Sequence, residues 1–301
     1  MVTKESNTAT ALLDSLLNLG NSRNRDVVRA PFMWPGSKSR SAQKVISLLP
    51  SNCSTYVEPF GGSGAVLLAR QAAGLEVYND RYGGVVALYR CLHDPIKAQA
   101  LTERLRLSIH AREEWLHCKD TWVTETDDVE RAAKWYYMIM YSFTAQGRSF
   151  GRATKASGFG LPKVFADHLD RFAEVHERIK NVQIENQDWS DCMFDYDSPG
   201  TVFYCDPPYL DTDTSVYKLK FSRADHIRLL DQIMQTQGFV ALSGYPNPLY
   251  DSYDWDSVHE WEILSTMDAN AFNEGNNRSE QTSKGSRKVI EKLWIKEASV
   301  A

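Results

Sequence analysis

One short segment, residues 202–209, holds the side chains best suited to chemistry, because an apolar run ends there in an acid, two prolines and an aromatic residue. Proline has no N–H and a fixed φ, so Pro207 and Pro208 predict a rigid turn whose carbonyl oxygen has a fixed direction. The carboxylate of Asp206 and that carbonyl can accept two hydrogen bonds from one donor group. A group with two donor hydrogens, such as an exocyclic amine, therefore fits this turn.

An amine held in this way becomes a nucleophile. The amine lone pair of a base such as adenine is delocalised into the ring, and hydrogen bonds to both of its N–H groups let the nitrogen become tetrahedral and attack an electrophilic methyl group. The ring of Tyr209 can stack on the base once the base has left the duplex. The alternative interpretation is an exposed turn that only ends a strand.

A glycine-rich turn at residues 60–64 follows a second apolar run and precedes a buried helix. Alignment of Gly62 and Gly64 with a dinucleotide-binding fingerprint puts Leu67 at the third glycine, so an NAD site loses support. Residues 36–39 lack the adjacent Gly-Lys pair of a phosphate-binding Walker A loop. What remains is a turn open to a small ligand, and Asp80 after the next strand, where an acid can hold ribose hydroxyls.

The elements that must position these residues alternate between strand and helix. Residues 55–80 form one strand–helix–strand pattern, which implies a parallel sheet. Further strands are predicted at residues 182–184, 201–204, 239–242 and 289–295. Residues 81–180 are mainly helical and interrupt the pattern after its second strand, so we expect an α/β fold with a helical insertion.

The composition is that of an ordinary globular chain, with 301 residues, 43% hydrophobic residues and a net charge of −5. This balance excludes disordered, collagenous and coiled-coil proteins. No apolar run approaches the roughly 18 residues that span a bilayer, and residues 1–24 lack a secretion signal, so we expect a cytoplasmic protein with no membrane partner. Five cysteines without CxxC spacing and seven histidines without HxxxH spacing argue against a disulfide framework and a metal site.

One segment, residues 141–166, is basic although the whole chain is acidic. It contains no acid and has aromatic residues and glycines between its cations, which are Arg148, Arg152, Lys155 and Lys163. Cations in a loop grip phosphates, and aromatic side chains such as Phe143 and Phe150 can fill the gap left by a displaced base. The segment is therefore predicted to bind DNA, with a merely solvated loop as the alternative.

Three motifs together resemble one enzyme family. The tetrapeptide 206–209 resembles the catalytic DPPY of DNA N6-adenine methyltransferases, residues 60–64 are similar to their F-x-G-x-G loop, and residues 34–38 resemble the W-x-G-G-K-like segment of the Dam branch. The order of the motifs, with an insertion before DPPY, matches the alpha (D12) class. The resemblance covers residues 31–295 and implies a Rossmann-like methyltransferase fold with a mixed, mostly parallel sheet and an inserted, mainly helical DNA-recognition domain.

The resemblance also implies roles for individual residues. The catalytic residues would be Asp206, Pro207, Pro208 and Tyr209. The residues that would contact S-adenosyl-L-methionine are Trp34, Lys38, Phe60, Gly61, Gly62, Gly64, Asp80, Asp188 and Asp206. Within that set, Lys38 would meet the methionine carboxylate, Asp80 the ribose and Asp188 the adenine. Ser37 departs from the family pattern, which usually has glycine at this position.

The function implied is site-specific adenine-N6 methylation of double-stranded DNA in the cytoplasm of a bacterial or phage-infected cell, with S-adenosyl-L-homocysteine as product and no metal. The expected domains are an extension at 1–28, a catalytic domain at 29–80 and 181–301, and a target-recognition domain at 81–180. The alternatives are methylation of RNA adenine, cytosine N4 or protein glutamine, whose enzymes mostly begin the tetrapeptide with Asn or Ser, and a silent DNA-binding relative. The oligomeric state stays open, with a monomer as one option.

Overall fold

The computed structural model of the protein describes residues 27–152, 160–210, 221–265 and 287–299. Lys155 and all but the last two residues of the expected extension lie outside these ranges. The strands are β1 (Thr55–Glu58), β2 (Leu75–Asn79), β3 (Gln183–Glu185), β4 (Thr201–Cys205), β5 (Phe239–Gly244), β6 (Ser257–Ser265) and β7 (Arg287–Lys296).

Helices occur before, between and after these strands. They are α1 (Ala42–Ile46), α2 (Ala65–Ala69), α3 (Gly83–His93), α4 (Pro95–Arg106), α5 (Arg112–Thr121), α6 (Asp128–Met140), α7 (Leu161–Leu169), α8 (Phe172–Ile179), α9 (Trp189–Asp195), α10 (Arg223–Gln235) and α11 (Pro248–Asp251). Short 3₁₀ turns occupy Lys38–Arg40 and Phe143–Ala145. Among the helices of the described ranges, none combines the length and apolar character needed to cross a membrane.

The strands form one sheet in the order β3-β2-β1-β4-β5-β7-β6. The pairs β1–β2, β1–β4 and β4–β5 are parallel, whereas β7 runs antiparallel to both β5 and β6. The central strand β4 is buried at all five positions, as its continuous apolar sequence predicts for a parallel strand covered on both faces. The predicted α/β class, with a mixed and mostly parallel sheet, is confirmed.

Strand β6 was not predicted from the sequence. Its residues alternate between partly buried and exposed positions, and they include His259, Glu260 and Glu262. Among the described strands it lies at the edge of the sheet and pairs with β7 alone. Charged side chains are favoured on such an edge because they oppose pairing with other chains, and they also remove the apolar signal on which strand prediction depends.

The chain divides into two compact units. The helical unit comprises the described residues up to 40 together with 62–70 and 83–184, and the sheet unit comprises 41–61, 71–82 and the described residues from 185 onward. In the sheet unit, apolar residues of the strands pack with those of α9 and α10 in one core. In the helical unit, α6 is buried over most of its length, including Trp135 and Tyr136. The assignment of residues 81–180 as a target-recognition domain stays a prediction.

Candidate active site

The tetrapeptide at 206–209 begins where β4 ends, at the carboxyl edge of the parallel strands. Ligands of open α/β sheets bind at this edge. Just before the turn, the hydroxyl of the buried Tyr204 lies 2.8 Å from the hydroxyl of Ser243 on β5. Burial raises the pKa of Tyr204 well above its usual value, and the nearby carboxylates of Asp206 and Glu291 raise it further. The last part of β4, just before the turn, is thus joined to β5 through a protonated tyrosine.

Tyr209, the last residue of the turn, contacts Glu291 and Tyr245 in the sheet unit. Its hydroxyl donates to Oε1 of Glu291 at 2.6 Å. The ring of Tyr245 meets it edge-on, with centroids 4.7 Å apart and an angle of 76° between the planes. Sequence reasoning missed Glu291, although an acid inside the apolar strand 289–295 was a signal that could have found it.

The glycine turn begins in the sheet unit with Phe60 and Gly61. The ring of Phe60 stacks on Trp189 at 5.9 Å and meets the edge of Phe221 at 5.6 Å. The N–H of Gly61 donates to the carbonyl of Asn79 at 2.7 Å. A Cβ atom at Gly61 would lie 2.2 Å from Cε2 of Tyr78, so this packing leaves room only for glycine.

The turn continues in the helical unit, where Gly62 and Gly64 have φ values of +50° and +62°. L-residues with side chains rarely adopt this left-handed conformation. A Cβ atom at Gly62 would lie 3.2 Å from Nε1 of Trp34, which shows how closely that ring approaches the backbone. Gly64 then begins α2 by accepting a hydrogen bond from the backbone N–H of Leu68 at 2.9 Å.

Ser37, where the family usually has glycine, forms part of the contact between these two motif segments. Its hydroxyl lies 2.7 Å from the hydroxyl of Ser63, which is buried in the glycine turn. The Ser63 carbonyl accepts a hydrogen bond from Tyr89 at 2.6 Å. Nζ of Lys38, a residue only 7% exposed, donates to the carbonyl of Gly36 at 3.2 Å. The departure at Ser37 therefore adds a contact and leaves the lysine in place.

Asp80 follows β2, as expected, and its carboxylate accepts a hydrogen bond from the backbone N–H of Tyr82 at 2.7 Å. No role was predicted from the sequence for the buried Asn79 just before it. Its Nδ2 donates to the carbonyls of Pro59 at 2.9 Å and Gln187 at 3.2 Å, and its Oδ1 accepts from the N–H of Gln187 at 2.9 Å. This one amide joins the ends of β1 and β2 to the segment that carries Asp188.

Asp188 is the N-cap of α9, where its Oδ1 accepts a hydrogen bond from the N–H of Ser190 at 3.1 Å. Arg81 and Arg228 lie 3.4 Å and 3.3 Å from its carboxylate oxygens. The guanidinium of Arg228 also lies over the Trp189 ring, 4.9 Å from its centroid. The Asp188 side chain is 28% exposed. Its carboxylate is therefore held in place by these contacts and is still accessible.

The basic segment begins as a hairpin in the helical unit. The N–H of Phe143 donates to the carbonyl of Ser149 at 2.9 Å, and residues 142 and 150 form an antiparallel bridge. Phe143 is 61% exposed, whereas Phe150 stacks on His110 at 4.7 Å and lies beneath the guanidinium of Arg112. Of these two aromatic residues, Phe143 is therefore the one open to a partner.

The predicted DNA-binding cations do not all have the same environment. Arg148 and Arg152 are exposed on the hairpin, and Lys163 is exposed on α7, where it lies 3.4 Å from Asp167. Lys155 lies outside the described residues. Nζ of Lys119, which sequence reasoning missed, donates to the carbonyl of Arg148 at 3.1 Å and so adds a cation beside the hairpin.

Nothing in the described ranges brings three His, Cys, Asp or Glu side chains together as a metal site. The glycine turn has a left-handed backbone and aromatic neighbours, which suit an organic ligand.

Comparison with known proteins gives an independent result. The family model for the D12 class N6 adenine-specific DNA methyltransferases matches residues 34–267. The chain is 26% identical over 233 residues to the type II methyltransferase M.CviBI of Paramecium bursaria Chlorella virus NC1A, with 73% of this chain and 85% of that protein aligned. It is 25% identical over 197 residues to the modification methylase LlaI of Lactococcus lactis subsp. lactis, with 63% of this chain but only 31% of that protein aligned.

Proposed function

Because this chain belongs to the D12 class of N6 adenine-specific DNA methyltransferases, we propose that it transfers the methyl group of S-adenosyl-L-methionine to N6 of an adenine flipped out of double-stranded DNA. The product of the cofactor is S-adenosyl-L-homocysteine. The DNA substrate implies the cytoplasm of a bacterial or phage-infected cell as the place of action.

The observation that carries the proposal is the register of two adjacent strands. In the parallel pair β1–β4, Val57 lies opposite Phe203. Phe60 and Asp206 each follow three residues later, so both leave the sheet at the same edge from neighbouring strands, which lie roughly 4.8 Å apart. Phe60, which begins the cofactor motif, and Asp206, which begins the amine-binding motif, therefore lie close together in the sheet unit. Either motif could occur alone as an ordinary turn, but their alignment at one edge supports a joint site.

The chemistry assigned to the turn follows from its acceptors. The carboxylate of Asp206 accepts one N6 hydrogen, and a carbonyl of the Pro207–Pro208 turn accepts the other. With both hydrogens held, the N6 lone pair would be free to attack an electrophilic methyl group, and the Tyr209 ring would support the base by stacking. S-adenosyl-L-methionine, when bound, supplies the electrophilic methyl group. Preorganised acceptors of this kind stabilise the positive charge that develops on N6 during transfer.

The cofactor roles are proposed on two grounds. In the sheet unit, Phe60, Asp80 and Asp188 lie at or beyond the carboxyl ends of β1, β2 and β3, where an adenosine could meet an aromatic ring and two acids. The assignment of Trp34, Lys38, Gly61, Gly62 and Gly64 to the same cofactor rests on the motifs that they share with the family. The left-handed backbone at Gly62 and Gly64 supports it, because glycine adopts this conformation readily and has no side chain between the backbone and a ligand.

DNA binding is proposed for the hairpin and the start of α7. Exposed Arg148, Arg152 and Lys163, with Lys119 beside Arg148, supply positive charge in a chain whose net charge is −5. Arginine and lysine contact phosphates regardless of sequence. Lys155 is included on its sequence position alone.

The decisive experiment measures the modified base. Unmethylated plasmid DNA is incubated with the protein and tritium-labelled S-adenosyl-L-methionine, and the product is digested to nucleosides and separated. We expect the label in N6-methyl-2′-deoxyadenosine. Label in N4-methyl-2′-deoxycytidine, or label in RNA but not in DNA when RNA is offered in a parallel reaction, would replace the proposed substrate by one of the alternatives. DNA binding without transfer would indicate a silent relative. Sequencing of modified DNA from an expressing cell would then give the recognition site.

A further inference from the structure

The acid Glu291 lies at the proposed active site although it belongs to none of the three motifs. It is 82 positions from Tyr209 in the sequence, yet its Oε1 accepts a hydrogen bond from the Tyr209 hydroxyl at 2.6 Å. Glu291 is only 1% exposed. Its neighbours along β7 include Leu293 and Trp294, both fully buried. A buried acid thus occupies a position where an apolar side chain would carry no desolvation penalty.

The topology of the sheet brings this acid to the turn. Strand β7 runs antiparallel to β5, and Gly244 at the end of β5 lies opposite Lys292. The next residue along β7 in that direction, Glu291, therefore reaches the carboxyl edge where β4 and β5 end. Tyr245, the first residue after β5, packs edge-on against the Tyr209 ring at 4.7 Å. One contact holds the hydroxyl of Tyr209, and the T-shaped contact with Tyr245 holds its ring.

Burial of an acid carries a large free-energy penalty unless hydrogen bonds compensate it. A leucine at position 291 would fill the space without that penalty, so the acid must provide something that an apolar residue cannot. What it provides here is an acceptor for Tyr209. Burial raises the pKa of Tyr209 well above its usual value, and the nearby carboxylates of Asp206 and Glu291 raise it further. The phenol therefore stays protonated and remains the donor.

We propose that Glu291 is a positioning residue that sets the orientation of the Tyr209 ring before the target base arrives. This inference rests on the proposed function, in which that ring stacks on the flipped adenine. A ring held at its hydroxyl by Glu291 and packed against Tyr245 has a fixed orientation when the base arrives. Without the acceptor the ring can rotate, and the base stacked on it no longer places N6 between its two acceptors. Small losses of alignment lower the rate of a positioned reaction strongly.

The test compares four variants with the wild-type protein. Tyr209→Phe removes the donor and keeps the ring, Glu291→Ala removes the acceptor, Glu291→Gln keeps an acceptor oxygen, and the fourth variant combines Tyr209→Phe with Glu291→Ala. The control is Glu262→Ala on β6, an exposed acid that pairs with Lys288 at 2.9 Å at the surface. For each protein, kcat and KM for unmethylated plasmid DNA are measured with labelled cofactor. Affinity for S-adenosyl-L-methionine and the melting temperature are measured as well.

We expect kcat to fall about tenfold in Tyr209→Phe and in Glu291→Ala, with cofactor affinity within twofold of the wild type. The double variant should be no slower than the slower single variant, because both changes remove the same hydrogen bond. Glu291→Gln should retain most of kcat, and Glu262→Ala all of it. A purely structural role would lower the melting temperature without this pattern of non-additivity and rescue.

Two results would overturn the inference while leaving the proposed function intact. One is an active wild type with unchanged kcat in Glu291→Ala, and the other is a double variant whose loss is the product of the two single losses. If Glu291→Ala does not fold, the comparison of Tyr209→Phe with Glu291→Gln decides, since equal kcat in both removes the role of the hydrogen bond. A wild-type protein that transfers no methyl to DNA refutes the proposed function itself.

Discussion

Replacement of Gly61 by alanine tests whether the glycine turn is dictated by packing inside the protein. The new Cβ would lie 2.2, 2.6 and 2.7 Å from three ring atoms of Tyr78. Carbon atoms pack at roughly 3.5 to 4.0 Å, so the ring or the turn must shift by more than 1 Å. Tyr78 is 1% exposed on β2 and has no solvent to move into. The backbone N–H of Gly61 also donates a hydrogen bond to the carbonyl of Asn79 at 2.7 Å, and this bond opposes the shift.

Overpacking of a filled core lowers the free energy of unfolding by about 1 to 3 kcal/mol. Because the Gly61–Asn79 hydrogen bond opposes any shift of the backbone, we expect Gly61→Ala to lose a free energy of unfolding in the upper half of that range. Urea denaturation followed by fluorescence gives the difference, provided that the slope of the transition stays the same. The double variant Gly61→Ala with Tyr78→Leu should lose less than the two single variants added together, because the smaller leucine makes room for the methyl group.

Gly83→Ala is the matched control. Its Cβ would lie 3.5 Å from a terminal nitrogen of Arg131, which is ordinary contact, and alanine favours the helix that begins there. This variant should be as stable as the wild type or slightly more stable. Gly61→Ala with the stability of the wild type, or strict additivity with Tyr78→Leu, would refute the packing argument and leave ligand contact as the reason for the glycine.

Three further outcomes are expected. Asp206→Ala should lower kcat at least a hundredfold with little change in melting temperature, because the carboxylate acts on the amine. Asp206→Asn should retain a trace of activity. Turnover preserved in the alanine variant would refute the catalytic role of Asp206. Asn79→Ala should lower the free energy of unfolding by about 2 to 4 kcal/mol, because buried backbone groups lose their hydrogen-bond partners. A loss under about 1 kcal/mol in urea denaturation would contradict this. Arg148→Ala and Arg152→Ala should each weaken DNA binding. The slope of log affinity against log salt concentration should fall by about 0.9 for every phosphate that the variant no longer neutralises. Slopes equal to that of the wild type would exclude the hairpin as the phosphate-binding surface.

The sequence by itself identifies the family. Its three motifs are short, and each places side chains by local geometry, since proline fixes the turn after β4 and glycine permits the left-handed backbone at Gly62 and Gly64. The family model that matches residues 34–267 confirms this identification. The buried strands were also predicted, because continuous apolar runs bounded by turn residues need no partner to be recognised.

Strand β6 shows where such prediction stops. Its alternation of charged and apolar residues is weak, and it becomes a strand by pairing with β7 along nine positions. The pairing partner is supplied by the fold, so no local window contains the information. The same holds for Phe150, whose aromatic ring looks available in the sequence but is covered by His110 in the structure.

The contacts that hold the candidate site together were decided only by the tertiary structure. Glu291 meets Tyr209 across 82 residues, and Asn79 binds the backbone of Gln187 across 108 residues. The partner of each side chain cannot be read from its own strand, because the contact depends on which strands become neighbours and in what register. Local residue types determined the chemistry that this chain can perform, whereas the order and direction of the strands determined which polar side chains are buried beside it and what they fix in place.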